Sequence, residues 1–184
     1  MSEKERIIFF DTTLRDGEQS SGFHMNDYEK MKIAESLAEM KVDVIEAGFP
    51  ISSPGDFQSV LSIAKHIDGP VICGLARCVE QDIRKAGEAL EPAFARGKGR
   101  IHTFVATSVI HTKDKLRKSE DEIVDIAVQA VALAGEYTND IEFSCEDFGR
   151  SETAYVCRIV AETIRAGATT INLPDTVEIG RAHV

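Results

Sequence analysis

Basic residues are scarce in this sequence. Its 21 Lys and Arg face 31 Asp and Glu, a formal net charge of -10 over 184 residues. A nucleic-acid or anionic-membrane partner normally needs a basic face, so neither is expected. The balance still allows an anionic small molecule, which a few Arg residues and a metal can hold locally. Long hydrophobic runs are missing too: none approaches the roughly 20 residues that span a bilayer. Met1–Arg6 is charged and leads straight into a strand-like segment, so no signal peptide is expected. Cysteine is sparse. Cys73, Cys78, Cys145 and Cys157 have the spacing of neither a zinc site nor a disulfide framework, and they read as reduced thiols of a cytoplasmic protein. Finally, no Gly-rich phosphate loop follows the first strand-like run, which argues against a dinucleotide-binding sheet.

What is present is a regular alternation. Short, β-branched apolar runs predict strands at Ile7–Phe10, Val42–Ala47, Val71–Gly74, Ile101–Val105, Asp140–Ser144 and Thr169–Leu173. They show little polar alternation, as expected of strands buried on both faces of a parallel sheet. Helical patterns lie between them. Asn26 or Asp27 caps the first, Pro54 opens the second, and Glu80–Leu90, Ser119–Gly135 and Ser151–Ala166 supply the rest. Ser119 and Glu122 have the form of a capping box, and Gly167 stands where the last helix hands over to a strand.

Alternating β and α units imply right-handed crossovers and a parallel sheet. Polar residues recur just after the strand ends, at Asp11-Thr12-Thr13, Arg77, Thr107-Ser108, Glu146-Asp147 and Pro174-Asp175-Thr176. Barrel active sites are built there. The expected fold is therefore a TIM (β/α)8 barrel. A full barrel takes about 250 residues, so this one is expected to be truncated after about six strands.

The densest chemistry follows the first strand, in Asp11-Thr12-Thr13-Leu14-Arg15-Asp16-Gly17-Glu18-Gln19. Asp16 offers an oxygen ligand to a hard cation such as Mg²⁺ or Mn²⁺. Arg15 offers a planar fork to a carboxylate or a developing oxyanion. Gly17 permits the tight turn beside them. On these residue types alone, a solvated loop with internal salt bridges is an equal alternative.

This segment resembles the signature of the isopropylmalate, homocitrate and citramalate synthase family, with hydroxymethylglutaryl-CoA lyase as a more distant relative. Val44-Ile45-Glu46-Ala47-Gly48-Phe49-Pro50, Gly74–Cys78, Arg100–Phe104, Phe143–Asp147 and Ile171–Val177 extend the likeness in order over residues 6–177. The isopropylmalate branch is the most similar. The resemblance implies an acyltransferase that joins acetyl-CoA to a 2-oxo acid, here 2-oxoisovalerate, on a divalent metal, Mn²⁺ or Mg²⁺. It implies small-molecule partners and a homodimeric parent enzyme. Carried across by position, Arg15 polarises the ketone and Asp16 is a metal ligand. Glu146 is an acid near the reacting centre. His102, Ser144, Pro174 and Thr176 contact substrate, and Leu75 and Asn172 line the pocket for its side chain. A homocitrate or citramalate synthase, a lyase running the reverse cleavage, and a non-catalytic remnant are the alternatives.

The sequence departs from that pattern in two ways. The family completes its metal site with a His-x-His-Asn motif, and none of His24, His66, His102, His111 or His183 forms an H-x-H pair. Residues 1–184 alone are therefore expected to be inactive, and their turnover of 2-oxoisovalerate and acetyl-CoA would overturn this. In addition, Glu178-Ile179-Gly180-Arg181-Ala182-His183-Val184 resembles a translated sequencing adapter. The expected division is a partial barrel domain over 1–177 and a non-native tail over 178–184. Reading the source DNA across codon 177 tests it.

Overall fold

The computed structural model describes residues 6–177, apart from the side chains of residues 113–115. The expected tail lies outside the described residues. Six strands, β1 (Phe10–Asp11), β2 (Val44–Gly48), β3 (Val71–Arg77), β4 (Gly99–Ala106), β5 (Ile141–Glu146) and β6 (Thr170–Asn172), pair in chain order, all parallel. Five α-helices connect them among the described residues: α1 (Asp27–Glu39), α2 (Pro54–His66), α3 (Glu80–Phe94), α4 (Glu120–Ala134) and α5 (Thr153–Ala166). The result is a half-barrel with helices on its outer side, as the truncated (β/α) barrel required. No helix among the described residues is long and apolar enough to cross a membrane.

Local chemistry sets the helix starts. The Asn26 side chain accepts the Glu29 N–H at 3.0 Å and Glu29 reaches back to the Asn26 N–H at 2.8 Å, so Asn26 is the cap of α1. Ser53 caps α2 ahead of Pro54, and Ser119 with Glu122 forms the predicted box. We expect Asn26→Ala to cost about 0.5–2 kcal/mol by orphaning the first-turn N–H. Urea denaturation checks this; an unchanged midpoint would show that the cap contributes nothing.

Three expectations are corrected. The first strand shrinks to Phe10–Asp11, and Ile7, Ile8 and Phe9 are exposed at 77, 62 and 65%. It is an edge strand with one strand partner among the described residues, and no described strand covers its other flank. Helix α3 runs on through Pro92 to Phe94, because the full burial of Ala89, Leu90 and Ala93 outweighs the one intrahelical hydrogen bond that Pro92 cannot donate. Helix α5 starts at Thr153 rather than Ser151, with Glu152 as its cap.

Strands β2 to β5 are largely buried on both faces, yet only one face is apolar. Ile45, Ile72, Ile101, Val105, Ile141 and Phe143 join the helices in one core. Strand geometry sends the alternate side chains to the barrel's inner face. There sit Glu46, Cys73, Arg100, His102, Glu142 and Ser144, a charged layer where a barrel interior is usually branched aliphatic.

Candidate active site

After β1 the chain turns back on itself. The N–H groups of Arg15, Asp16 and Gly17 all donate to the Thr12 carbonyl, at 3.0, 2.8 and 3.2 Å. This turn buries Leu14 completely and lays the Arg15 guanidinium over the inner face. Arg15 Nε donates to Glu46 Oε2 at 2.6 Å and Nη1 to Asp16 Oδ1 at 2.7 Å. Glu46 Oε1 meets His102 Nδ1 at 2.5 Å, and His102 Nε2 meets Ser144 Oγ at 2.6 Å. A continuous polar chain thus crosses from the β1–α1 loop through β2 and β4 to β5.

Burial works to raise the Glu46 carboxyl. The bond and charge of His102, with the Arg15 guanidinium, outweigh it and hold the group below the usual carboxylate range. Glu46 is then an ionised acceptor. His102 Nδ1 therefore donates to it, and Nε2 exchanges a hydrogen bond with the Ser144 hydroxyl, as donor from a charged ring and as acceptor from a neutral one. The strand-end histidine is bonded through both nitrogens to side chains, not to backbone.

A second layer supports the first. Arg100 donates to Asp140 Oδ1 at 2.8 Å and to Glu142 Oε2 at 3.0 Å. Asn172 Nδ2 donates to Glu142 Oε1 at 3.1 Å, and that oxygen is 3.7 Å from His102 Nε2. Asn172 is also the register partner of Ser144.

The structure therefore brings Arg15, Asp16, His102, Ser144 and Asn172 into one network. Leu75 is buried and lines, with Arg15 and Leu14, a cavity of about 410 Å³ between the β1–α1 and β2–α2 loops. Glu146, Pro174 and Thr176 lie apart, at the ends of β5 and β6. Thr176 accepts the Asp147 N–H at 2.8 Å. The Glu146 carboxylate makes no hydrogen bond to another described residue, while its backbone carbonyl accepts the Thr107 N–H at 3.0 Å. The sequence reading assigned no role to Glu46, Glu142 or Arg100. A signal existed in Val44-Ile45-Glu46-Ala47-Gly48: an acid in the middle of a fully buried strand must be paired.

Two donor sets bear on a metal. Glu46, Cys73 and His102 place three ligand atoms within 4.8 Å of one another. Both Glu46 oxygens are already engaged, and burial, with the neighbouring Glu46 and Glu142 charges, pushes the Cys73 thiol well above its ordinary range. A protonated thiol is a poor ligand, and thiolate suits softer ions than Mg²⁺ or Mn²⁺. The trio does not fit a hard cation. Asp16, with its side chain 61% exposed at the rim, does fit as one oxygen ligand. Such a cation needs more donors than this one carboxylate.

The fold and site define a (β/α)-barrel domain, and the sequence profile of the HMGL-like family matches residues 6–184. The chain belongs to that family. Within it, the chain is 57% identical to the 2-isopropylmalate synthase of Dechloromonas aromatica and 59% identical to that of Aromatoleum aromaticum, each over 95% of its length. It spans about a third of those relatives, 33% and 34%. Among solved structures, the hydroxymethylglutaryl-CoA lyase of Brucella melitensis matches 96% of the chain and 64% of its own length, with a TM-score of 0.74 at 18% identity. The lyase of Acinetobacter baumannii, solved with coenzyme A and 3-methylmalate, matches 95% of this chain and 58% of its own, with a TM-score of 0.71 at 19% identity. These two likenesses show the fold.

Proposed function

We propose that the protein carrying this segment is an acyltransferase that condenses acetyl-CoA with 2-oxoisovalerate to give 2-isopropylmalate and CoA, the first committed step of leucine biosynthesis. The observation that carries the reading is the Arg15–Glu46–His102–Ser144 chain, set in a barrel whose relatives at 57 and 59% identity are 2-isopropylmalate synthases. Arg15 has N–H groups left over once Glu46 and Asp16 are satisfied, and these face charge growing on the ketone oxygen. His102 and Ser144 form a polar wall beside that oxygen. Thr176 and the backbone at Pro174 hold the substrate carboxylate, and Leu75 and Asn172 bound its side chain. Glu146, half-buried and unpartnered among the described residues, takes part in moving a proton from the acetyl methyl group. The resulting enolate carbon bonds to the ketone carbon, the ketone oxygen becomes a hydroxyl, and water cleaves the thioester to free CoA. A divalent cation, Mn²⁺ or Mg²⁺, held in part by Asp16, supplies Lewis acidity when bound. A homodimer in the cytoplasm completes the reading.

The test is CoA release, followed as free thiol, by the protein as encoded from its own start to its own stop codon. Turnover with 2-oxoisovalerate in preference to pyruvate, 2-oxobutyrate and 2-oxoglutarate supports the assignment. Preference for pyruvate or 2-oxoglutarate moves it to a citramalate or homocitrate synthase. Cleavage of hydroxymethylglutaryl-CoA without use of 2-oxoisovalerate overturns it in favour of a lyase.

A further inference from the structure

The loops after β4, β5 and β6 meet at a residue that the proposed reaction does not use. Asp147 directly follows β5, is fully buried, and adopts left-handed backbone at φ 62° and ψ 36°. Outside glycine that region costs about 1–2 kcal/mol, least for Asn and Asp. Its contacts hold it there. Arg150 Nε donates to both carboxylate oxygens at 2.8 and 3.0 Å, and Nη2 reaches Oδ2 at 2.7 Å. From the β4–α4 loop, His111 Nδ1 lies 3.2 Å from Oδ2 and 2.8 Å from Ser108 Oγ. The Asp147 carbonyl accepts the Ser151 hydroxyl at 2.9 Å, and its N–H donates to Thr176 Oγ1, beyond β6, at 2.8 Å. The Arg150 guanidinium holds the Asp147 carboxyl below its usual range, so the knot is ionic.

Ser108, His111 and Asp147 do not form a nucleophilic triad. Ser108 and Asp147 approach the same ring nitrogen, whereas a proton relay needs opposite ones. The role is geometric. A hydroxyl has one proton to give and two lone pairs. Because Thr176 Oγ1 accepts from the Asp147 N–H, its own proton remains to be donated. Glu146, one residue earlier, has its carbonyl pinned by Thr107, whose hydroxyl also meets Ser151 at 2.7 Å.

We propose that Asp147 is a positioning residue: it locks the three loops in one register, aims the Thr176 proton at the substrate carboxylate, and fixes the peptide from which Glu146 projects. The identity of that substrate rests on the synthase reading above. In the complete natural protein, Asp147→Gly tolerates the left-handed backbone, retains the amide that meets Thr176, and removes the side chain with its carboxylate. The expected result is a rise of about tenfold or more in KM for the 2-oxo acid, with KM for acetyl-CoA within about twofold of wild type. Asp147→Asn, which keeps the shape, restores part of the loss. Amides of Thr107, Thr112 and Ser151 exchange faster with solvent in Asp147→Gly, while those of Ile45 and Ile72 do not change. Should Asp147→Gly fail to fold, Arg150→Lys carries the same comparison, since lysine keeps the charge and loses the fork. Parallel changes in both KM values, or unaltered exchange at the loop amides, overturn the proposal and leave the synthase reading standing. A wild type that turns over neither substrate sinks that reading, and the positioning role with it.

Discussion

Arg15→Ala is expected to lower kcat/KM for the 2-oxo acid by about 10²–10³-fold, the usual loss when one preorganised donor to a developing oxyanion is removed. The guanidinium is held from two sides, by Glu46 at 2.6 Å and Asp16 at 2.7 Å, with its side chain only 19% exposed. It therefore needs no reorganisation as charge appears on the ketone oxygen. Arg15→Lys should fare little better. A lysine is a single point charge and cannot hold Glu46, stay beside Asp16 and face the substrate at once. Steady-state kinetics on the natural protein, with circular dichroism to confirm folding, decide the matter. Activity of Arg15→Ala within about threefold of wild type would remove Arg15 from the chemistry.

Glu46 carries the second large effect. It is fully buried and serves two partners, so Glu46→Leu leaves the Arg15 and His102 polar groups without their acceptor. Removing one partner of a buried pair costs about 3–5 kcal/mol. The charge-only variant, Glu46→Gln, gives the pH signature. The folded-state carboxyl lies below its ordinary range. A depressed acid contributes stability above the unfolded-state pKa, about 4.3, and loses it as pH falls through the lower folded value. The stability gap between wild type and Glu46→Gln should thus be constant above about pH 5.5 and narrow as the pH drops below about 4. Urea unfolding from pH 3 to 7 measures it. A gap that widens toward acid would contradict the ion-pair account.

Much of the barrel was legible because its signals are local. Periodicity separated the short β-branched runs from the amphipathic stretches, and Asn26, Ser119 and Gly167 marked helix ends through hydrogen bonds and backbone angles confined to a few residues. Boundaries failed where packing overrode that chemistry: at the edge strand β1, which has one strand partner among the described residues, and in α3, where buried alanines carry the helix past Pro92.

The site divides in the same way. Arg15, Asp16, His102, Ser144 and Asn172 stood out by residue type at strand ends or by likeness to a family. The use made of them depends on Glu46, which is 31 residues from Arg15 and 56 from His102. By itself the sequence determined the alternation of strands and helices, their parallel order, and the polar residues that follow each strand. Only the tertiary structure decided that Glu46 joins Arg15 to His102, that Glu142 lies beneath them, and that Asp147 gathers three loops. Such pairings join residues distant in the chain and arise when parallel strands stack in register and turn alternate side chains to one inner face, where a buried charge must find its partner.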